Sequence, residues 1–569
     1  MKVCLGQINT TPGDFEGNLA KIFSGIDRAN AAQCDVIVFP ELTISGYLSQ
    51  DLVYNDAYID RNLEVLAEIT TYTEKCNPNL HVVVGFIDRN DGVGKPLFNM
   101  AAVIANGRIV ALYRKQLLPF YDVFDELRYF EPGRDLTILE ISGKKVGIAI
   151  CEDLWNDKGT DDYNYDKNPL SLYREHDVDV ILSLNSSPYV HGKGERRIKV
   201  INPGEDISLV YVNQRGGQDE LVFDGQSFVI HDSELLHLST NLFEDSFDVV
   251  ELDQPASKSD TQFVELFDLL VLSLRDYVQK SGFSQVVLAS SGGVDSAVVC
   301  KIACCAVGSK NVHAIRMPSI FSSDHSRSDA IALHENLGCW DYEVPIDHEA
   351  VVTMLKNQYS VNRDSENLVT AINDQDQYAS VADENIQARL RDLYVMHFSN
   401  AYGAMPLSTG NKTESACGYY THFDMNFSFA PIKDLYKFQV IDIARQYEDI
   451  PTNIWGKAPS AELAHGQTDE ESLMPYAILD PIVRSYVEEY VSTFDGFCGW
   501  FEQLQSVVSS DMNIVSSWVT SSTAEMDYNR IVSLIGRMEY KRRQTCPGTK
   551  VSKVAFGIGR RIPIVEKWS

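Results

Sequence analysis

An α/β chain in two units is the fold expected of these 569 residues, and three observations carry it. Across the first 250 residues, short apolar runs end repeatedly on a polar or reactive residue. Strands of α/β sheets do this at their carboxyl ends, where such folds place their chemistry. Further on, the β-favouring run 286–289 leads through a glycine-rich turn into the apolar AVVCKIACCAV (297–307), so that strand, turn and helix follow in succession. Between these regions lies DSFDVVELDQPASKSDTQ (245–262), acidic, with Pro and Ser and no strong periodicity. It reads as a linker. The expected division is a first domain over 1–250, a linker over 251–262 and a second domain over 263–569.

Bulk properties narrow the class. The length allows several domains, and 44% hydrophobic with 23% charged residues is ordinary for a globular chain. A formal charge of −31 argues against nucleic acid or an anionic membrane as partner, since either would be repelled. A local basic pocket for a phosphate-bearing metabolite stays compatible with it. The 11 cysteines form no CxxC pair, and their odd number does not suit a disulfide framework, so a reducing cytoplasm is expected. The opening MKVCLGQINTTPGDF lacks the apolar core of a signal peptide, and no run reaches membrane-spanning length.

In the first half, DVIVFP (35–40) delivers Glu41; VVVGF (82–86) follows; RIVALY (108–113) delivers Arg114 and Lys115; VGIAI (146–150) delivers Cys151, Glu152 and Asp153; and VILSL (180–184) ends in NSSPY (185–189). Singly, such residues are more often structural. A carboxylate after a buried strand usually caps or faces water, and a cysteine there is usually a small inert hydrophobe. Together a Glu, a Lys and a Cys at strand ends supply the parts of a thiol amidase. Cys151 is the nucleophile, reactive as thiolate. Glu41 takes its proton and later passes it to the leaving nitrogen. Lys115 and the backbone N–H after Cys151 stabilise the tetrahedral oxyanion.

FPE (39–41), YRKQLLP (113–119) and GIAICEDLW (147–155) resemble, in order, the three signatures of the nitrilase superfamily and its Glu-Lys-Cys triad. The resemblance implies a four-layer αββα sandwich over the first 250 residues. It also implies that Tyr121, Ser187 and Lys193 hold the amide substrate and that Glu126 lies near the triad. NQRGGQDELVFDGQSFV (213–229) is similar to the segment that marks the glutaminase domain of glutamine-dependent NAD synthetases, although Arg215 stands where a small apolar residue is expected.

The second half turns on SSGGVDSA (290–297). Gly292 and Gly293 let the backbone close on a ligand at which the first helical N–H groups point. Ser291 and Ser296 add hydroxyl donors, and Asp295 offers a carboxylate to a phosphate-bound Mg²⁺. A lone Gly-Gly pair would be an ordinary turn; the complete S-G-G-x-D-S set answers each need of phosphate binding. No lysine is present as in GxxxxGK[ST], so the loop suits a pyrophosphate leaving whole. It resembles the loop of the ATP pyrophosphatases, and residues Ala289, Ser290, Ser291, Gly292, Gly293, Val294, Asp295 and Ser296 are its expected ATP loop.

Beyond it, 312–319 reads as a strand with a loop, 322–338 as a capped helix with a terminal glycine, and 359–381 as an irregular loop near a site. DENIQARLRDLYVMHFSN (383–400) reads as a helix, and PLSTGNKTESACGYY (406–420) as a second strand-to-loop junction in which Thr409 and Glu414 face nucleotide and metal. SGGVDS, ENIQARLR, STGNKTE, KAPSAELAHGQTDEESLMPY (457–476) and EYKRRQ (539–544) stand in the order found in NAD synthetases. That resemblance covers 262–569 and implies a doubly wound parallel-sheet, Rossmann-like domain. It makes Thr409 and Lys437 ATP contacts, Asn385, Glu414 and Lys541 contacts to deamido-NAD, and Asp295 and Glu414 the metal ligands. THFDMNFSFAP (421–431) departs from the family's loop by one residue fewer and by His422.

The expected activity is ATP-dependent amidation of deamido-NAD to NAD⁺ through an acyl-adenylate, fed with ammonia by glutamine hydrolysis. Its partners are then deamido-NAD, ATP, L-glutamine and Mg²⁺, in a cytoplasmic homo-oligomer without nucleic acid or membrane. A protected path for ammonia follows, because ammonium is no nucleophile at neutral pH. Another glutamine-dependent amidating ATP pyrophosphatase is the alternative, disfavoured by NQRGGQDELVFDG and STGNKTE. A lone amidase or an ammonia-only ligase, with the other half a binding module, would leave one complete catalytic set unused.

Overall fold

In the computed structural model of the chain, Val36 and Val38 face one apolar layer and Ile37 faces another. This is the two-residue period of a strand covered on both sides. The described residues are all but 156–164, 202, 233, 254–261, 362–380, 422–426, 458, 461, 465–468, 470–472, 505–511, 558 and 566–569. The chain divides into two compact units, Met1–Asp276 and Tyr277–Ser569.

The strands of the first unit are β1 (Lys2–Gln7), β2 (Val36–Val38), β3 (His81–Arg89), β4 (Leu97–Ala105), β5 (Arg108–Arg114), β6 (Ile138–Ile141), β7 (Lys144–Ile150), β8 (Val180–Asn185), β9 (Ser208–Asn213), β10 (Arg215–Gln218), β11 (Leu221–Asp224), β12 (Phe228–His231), β13 (Glu234–Leu238) and β14 (Ser246–Glu251). One six-stranded sheet runs β14-β1-β2-β3-β4-β5 and another β13-β12-β9-β8-β7-β6, with β10 and β11 forming a separate hairpin. Val3, Leu5, Val36 and Val38 of the first sheet share one apolar layer with Ile148, Ile150, Leu182 and Leu184 of the second. Helices Phe15–Ala31 and Asp56–Tyr72 cover the far side of the first sheet through Leu19, Ile22, Val65 and Ile69. Leu170 and Tyr173 of helix Pro169–Glu175 pack on the second. The result is four layers, αββα.

One expectation is corrected. The acidic stretch read as linker from 245 onward begins with strand β14, which pairs antiparallel with β1 from Lys2↔Glu251 to Gln7↔Ser246. β14 lies at a sheet edge and is bonded on one side only, so its apolar pattern is too weak to read. Residues 254–261 of that stretch lie outside the described residues.

Tyr277–Ser569 contains β15 (Val286–Ala289), β16 (Val312–Arg316), β17 (Trp340–Glu343) and β18 (Met405–Leu407), all parallel, in the order β17-β16-β15-β18. The chain goes from β15 to β16 on one side and later returns to β18 on the other. The carboxyl end of β15 is therefore the topological switch point, where open parallel sheets bind ligands. The SSGGVDSA turn starts there. Of the stretch expected as an irregular loop, 359–361 close the helix His348–Val361 and 362–380 lie outside the described residues. A second apolar core, with Ile482, Val483, Tyr528 and Ile531, joins helices Tyr476–Glu488 and Ala524–Arg537.

One glycine holds the first unit's active end in place. A β-carbon on Gly85 of β3 would stand 2.4 Å from Leu42 N and 2.9 Å from Pro40 O, in the turn that carries Glu41. Gly85→Ala is expected to push that turn outward and to cost about 1–3 kcal/mol, as overpacking does. Thermal unfolding should show a lowered midpoint; an unchanged one would mean that the turn yields freely.

Candidate active sites

Three strands of the first unit converge on one buried ammonium. Lys115, immediately after β5, is 1% exposed, and its Nζ lies 2.6 Å from Glu41 Oε1 and 2.8 Å from Glu126 Oε2. Asn99 of β4 donates Nδ2–H to the same Glu41 oxygen at 2.7 Å, and the Tyr47 hydroxyl donates to Glu126 at 3.1 Å. Burial alone would drive Lys115 neutral, but Glu126 and Glu41 overcome it and hold its pKa well above the ordinary value. Glu126 shows the reverse: burial pushes it up to about 7, against the pull of Lys115. Glu41 Oε2 is buried and has no hydrogen-bond partner among the described residues.

Cys151 follows β7 directly and opens the short 3₁₀ turn Cys151–Leu154. Its φ is +45°, a left-handed conformation that costs a residue with a β-carbon about 1–3 kcal/mol. Such a sharp strand-to-turn corner presents a nucleophile. Burial first, then Glu41, raise the thiol's pKa well above its usual value, while Lys115 opposes them. The resting group is S–H with a carboxylate close by.

Asp153 ties the two loops together. Its Oδ2 accepts the Ile150 N–H at 2.9 Å and the Tyr113 hydroxyl at 2.8 Å. Its Oδ1 accepts the N–H groups of Gln116 and Leu117 at 3.1 and 2.9 Å. One carboxylate thus fixes the residue before the cysteine and the two residues after the lysine. Burial pushes it up to about 6 in spite of these donors.

The residues expected to hold the amide each bond within the first unit. The Tyr121 hydroxyl donates to both oxygens of Glu152 at 3.0 Å, and Tyr165 donates to Glu152 Oε1 at 3.0 Å. The Ser187 carbonyl accepts from Arg197 at 2.7 Å, and Arg197 is itself paired with buried Asp224 at 2.7 Å. Lys193 begins helix Lys193–Val200 and donates to the Pro188 carbonyl at 3.1 Å. The unexpected Arg215 is matched within the chain, its Nη2 lying 2.7 Å from Asp245. Asn99, Tyr47 and the bracing role of Asp153 were missed in the sequence. A polar Asn inside the otherwise apolar LFNMAAVIA (97–105) was the available sign of the first.

In the second unit, helix Val294–Val307 starts without a side-chain cap, so its first N–H groups face the turn. Gly292 has φ +78°, and a β-carbon there would meet the Ser326 carbonyl at 2.2 Å. Ser291 Oγ accepts the Gly293 N–H at 3.2 Å, and Ser296 Oγ donates to the Gly293 carbonyl at 3.0 Å. Ser290 Oγ lies 2.9 Å from His334 Nε2.

Asp295 and Glu414 meet over one cation. Lys437, buried, bonds Asp295 and lies 3.3 Å from Glu414 Oε1. Asn411 donates to Asp295 Oδ1 at 2.9 Å and forms a reciprocal cap with Glu414, whose Oε2 accepts the Asn411 N–H at 3.2 Å. Burial, then Asp295, push Glu414 up to about 7. Thr409 follows β18 in the same segment and is half-buried. Asn385, in helix Val381–Tyr402, accepts from the Thr421 hydroxyl at 2.6 Å. Lys541 Nζ donates to the Gly418 and Tyr420 carbonyls at 2.7 Å each. The departing loop around His422 lies outside the described residues over 422–426.

The two sites define a carbon–nitrogen hydrolase joined to an ATP-using synthetase, and comparison with known proteins agrees. A carbon-nitrogen hydrolase family model matches residues 2–235, and an NAD synthase model matches 266–497. The glutamine-dependent NAD(+) synthetase of Thermotoga maritima is 35% identical over 620 aligned positions, covering 100% of this chain and 99% of that protein. That of Synechocystis sp. is 35% identical, covering 99% and 98%. A solved glutamine-dependent NAD+ synthetase from Acinetobacter baumannii, in complex with ADP, superposes with a TM-score of 0.71 at 30% identity, covering 100% of this chain and 99% of that one. The chain belongs to the glutamine-dependent NAD(+) synthetases. It is a ligase that uses ATP to amidate deamido-NAD with glutamine as nitrogen donor.

The Asp153 brace yields a prediction. In Asp153→Asn one carboxylate oxygen becomes an NH₂ facing N–H or O–H donors, a mismatch worth about 1–3 kcal/mol. Glutamine-dependent synthesis should fall about 10- to 100-fold, at 1.36 kcal/mol per tenfold, while synthesis from ammonium salts is unchanged. Equal losses with both nitrogen sources would show a general folding defect instead.

Proposed function

We propose that Cys151, Glu41 and Lys115 hydrolyse glutamine in the first unit, and that the SSGGVDSA loop with Asp295, Glu414 and Lys437 activates deamido-NAD in the second. The Cys151 sulfur attacks the amide carbon, and its proton passes to Glu41. Lys115 and the N–H after Cys151 hold the oxyanion. The C–N bond breaks as Glu41 returns the proton to the leaving nitrogen, releasing NH₃ and a thioester. Water, deprotonated by Glu41, attacks the thioester carbon; the C–S bond breaks, glutamate is freed, and the proton returns to the Cys151 sulfur. The observation that carries this reading is Glu41 itself. One of its oxygens is fixed by Lys115 and Asn99, and the other is buried with no hydrogen-bond partner among the described residues, on a carboxylate whose charge raises the pKa of the thiol it would deprotonate. Tyr121, Ser187 and Lys193 are assigned to glutamine.

In the ligase half, a carboxylate oxygen of the nicotinate attacks the α-phosphorus of ATP, pyrophosphate leaves whole, and ammonia displaces AMP from the acyl carbon. The loop 289–296, Thr409 and Lys437 are assigned to ATP, and Asn385, Glu414 and Lys541 to deamido-NAD. Asp295 and Glu414 suit Mg²⁺: both are hard oxygen donors, and they share one polar cluster around Lys437. When bound, the ion would neutralise the phosphates of ATP. The domain limits 1–250 and 263–569 go with this division. The exposed apolar Ile109, Val110 and Leu112 of edge strand β5 favour a homo-oligomer. The eleven cysteines are thiols and not disulfides, which favours the cytoplasm.

Two experiments test the reading. Cys151→Ala should abolish synthesis from glutamine and spare synthesis from concentrated ammonium salt. Loss of both in a folded variant would end the division of labour. With ¹⁸O in the nicotinate carboxylate, one labelled oxygen should appear in AMP and none in pyrophosphate. Label in inorganic phosphate, with ADP as product, would establish acyl-phosphate chemistry instead.

A further inference from the structure

Three thiols meet behind the ATP loop. Cys300 and Cys304 lie one helical turn apart on helix Val294–Val307, so their side chains share a face. Cys339 reaches them from another element. Helix Asp324–Leu337 ends on Gly338 at φ +66°, and that left-handed step turns the chain so that Cys339 follows at once. The Sγ atoms of all three lie within 4.8 Å of one another, and those of Cys300 and Cys339 are 3.9 Å apart. Among the described residues this is the one group of three or more His, Cys, Asp or Glu side chains with ligand atoms so close together.

The spacing suits a metal centre. With metal–sulfur bonds of about 2.3 Å, sulfurs around a tetrahedral ion stand about 3.8 Å apart. Around a trigonal ion with the same bonds they stand about 4.0 Å apart. The nearby histidine is committed elsewhere, His334 Nδ1 lying 2.8 Å from Asp341 Oδ1 and its Nε2 2.9 Å from Ser290 Oγ. The donor set is therefore sulfur alone, which selects soft ions over hard ones such as Mg²⁺.

We propose that Cys300, Cys304 and Cys339 form a binding site for one thiophilic d¹⁰ ion, distinct from both active sites. Zn²⁺ would add a solvent ligand on the side of partly exposed Cys339, and Cu⁺ would take the three sulfurs alone. Binding forms three metal–sulfur bonds and releases the three thiol protons to solvent. The ion would staple the helix that begins at the ATP loop to the turn after the helix whose His334 holds Ser290. None of the three cysteines has a part in the proposed chemistry.

The full-length protein, reduced with a phosphine and stripped of metal, is titrated separately with Zn²⁺ and with Cu⁺ against a chromogenic chelator. The same titrations are run on Cys339→Ser and on Cys300→Ser/Cys304→Ser/Cys339→Ser. The wild type is expected to hold one equivalent more than either variant in at least one arm, and that arm identifies the ion. Co²⁺ added to the wild type should give a sulfur-to-metal charge-transfer band that Cys339→Ser lacks. Cys339→Ser alters a single partly exposed thiol, so it serves where the triple variant fails to fold, and its synthesis from ammonium confirms a folded ligase. Equal stoichiometry in wild type and Cys339→Ser in both arms, with no difference in the Co²⁺ spectrum, overturns the site.

Discussion

A lysine ammonium taken wholly out of water must be matched or must give up its charge, and the first unit is arranged around that constraint. Lys115 is buried with Glu41 and Glu126 at 2.6 and 2.8 Å. Removing either partner would leave an uncompensated charge in a site of low dielectric, whose cost is several kcal/mol. The ends of β2, β4 and β5 and the turn at Glu126 are therefore held together by their shared charge pairing with Lys115. That arrangement also brings a basic carboxylate and a fixed cation to the Cys151 corner. Stability and chemistry draw on the same ion cluster, and its geometry cannot drift.

The second unit repeats the device with the same signs. There two carboxylates, Asp295 and Glu414, share one buried ammonium, Lys437. Burial first, then Asp295, raise Glu414, and the lysine opposes both. Glu414 is doubly employed, since its other oxygen closes the cap on Asn411. Lys412, in the same STGNKTE segment, takes no part. Its ammonium is buried against Glu488 and Asp434 at 2.9 and 3.0 Å and anchors the segment to the helical core. A motif that reads as uniformly functional thus includes a residue, Lys412, that holds the motif in place.

What the sequence disclosed follows from how local each determinant is. Strand period and position are local, so Glu41, Lys115 and Cys151 could be placed at strand ends from the apolar runs before them. The glycine turn at 292–293 was equally local, because Gly292 takes φ +78°, a left-handed step that favours glycine. Partners that arrive across the sheet were hidden. Asn99 reaches Glu41 across 58 residues and Tyr47 reaches Glu126 across 79, and no spacing rule links such pairs before the topology is known. The same holds for the thiol cluster, in which Cys339 stands 39 residues from Cys300. Strand β14 was misjudged because an edge strand bonded on one side needs little apolar alternation.

The charge states also bear on the form in which nitrogen leaves the first site. Burial and Glu41 keep the Cys151 thiol protonated at rest, so the pocket begins each proposed turnover with one transferable proton. In the proposed chemistry that proton moves from sulfur to Glu41 and then to the departing nitrogen, which leaves as neutral NH₃. Making ammonium would take a second proton. Lys115 does not supply it, because its two carboxylates raise the cost of deprotonation far above the ordinary value. In that proposed chemistry a buried lysine held charged would do two things at once: stabilise the oxyanion, and withhold the proton that would make the product useless as a nucleophile.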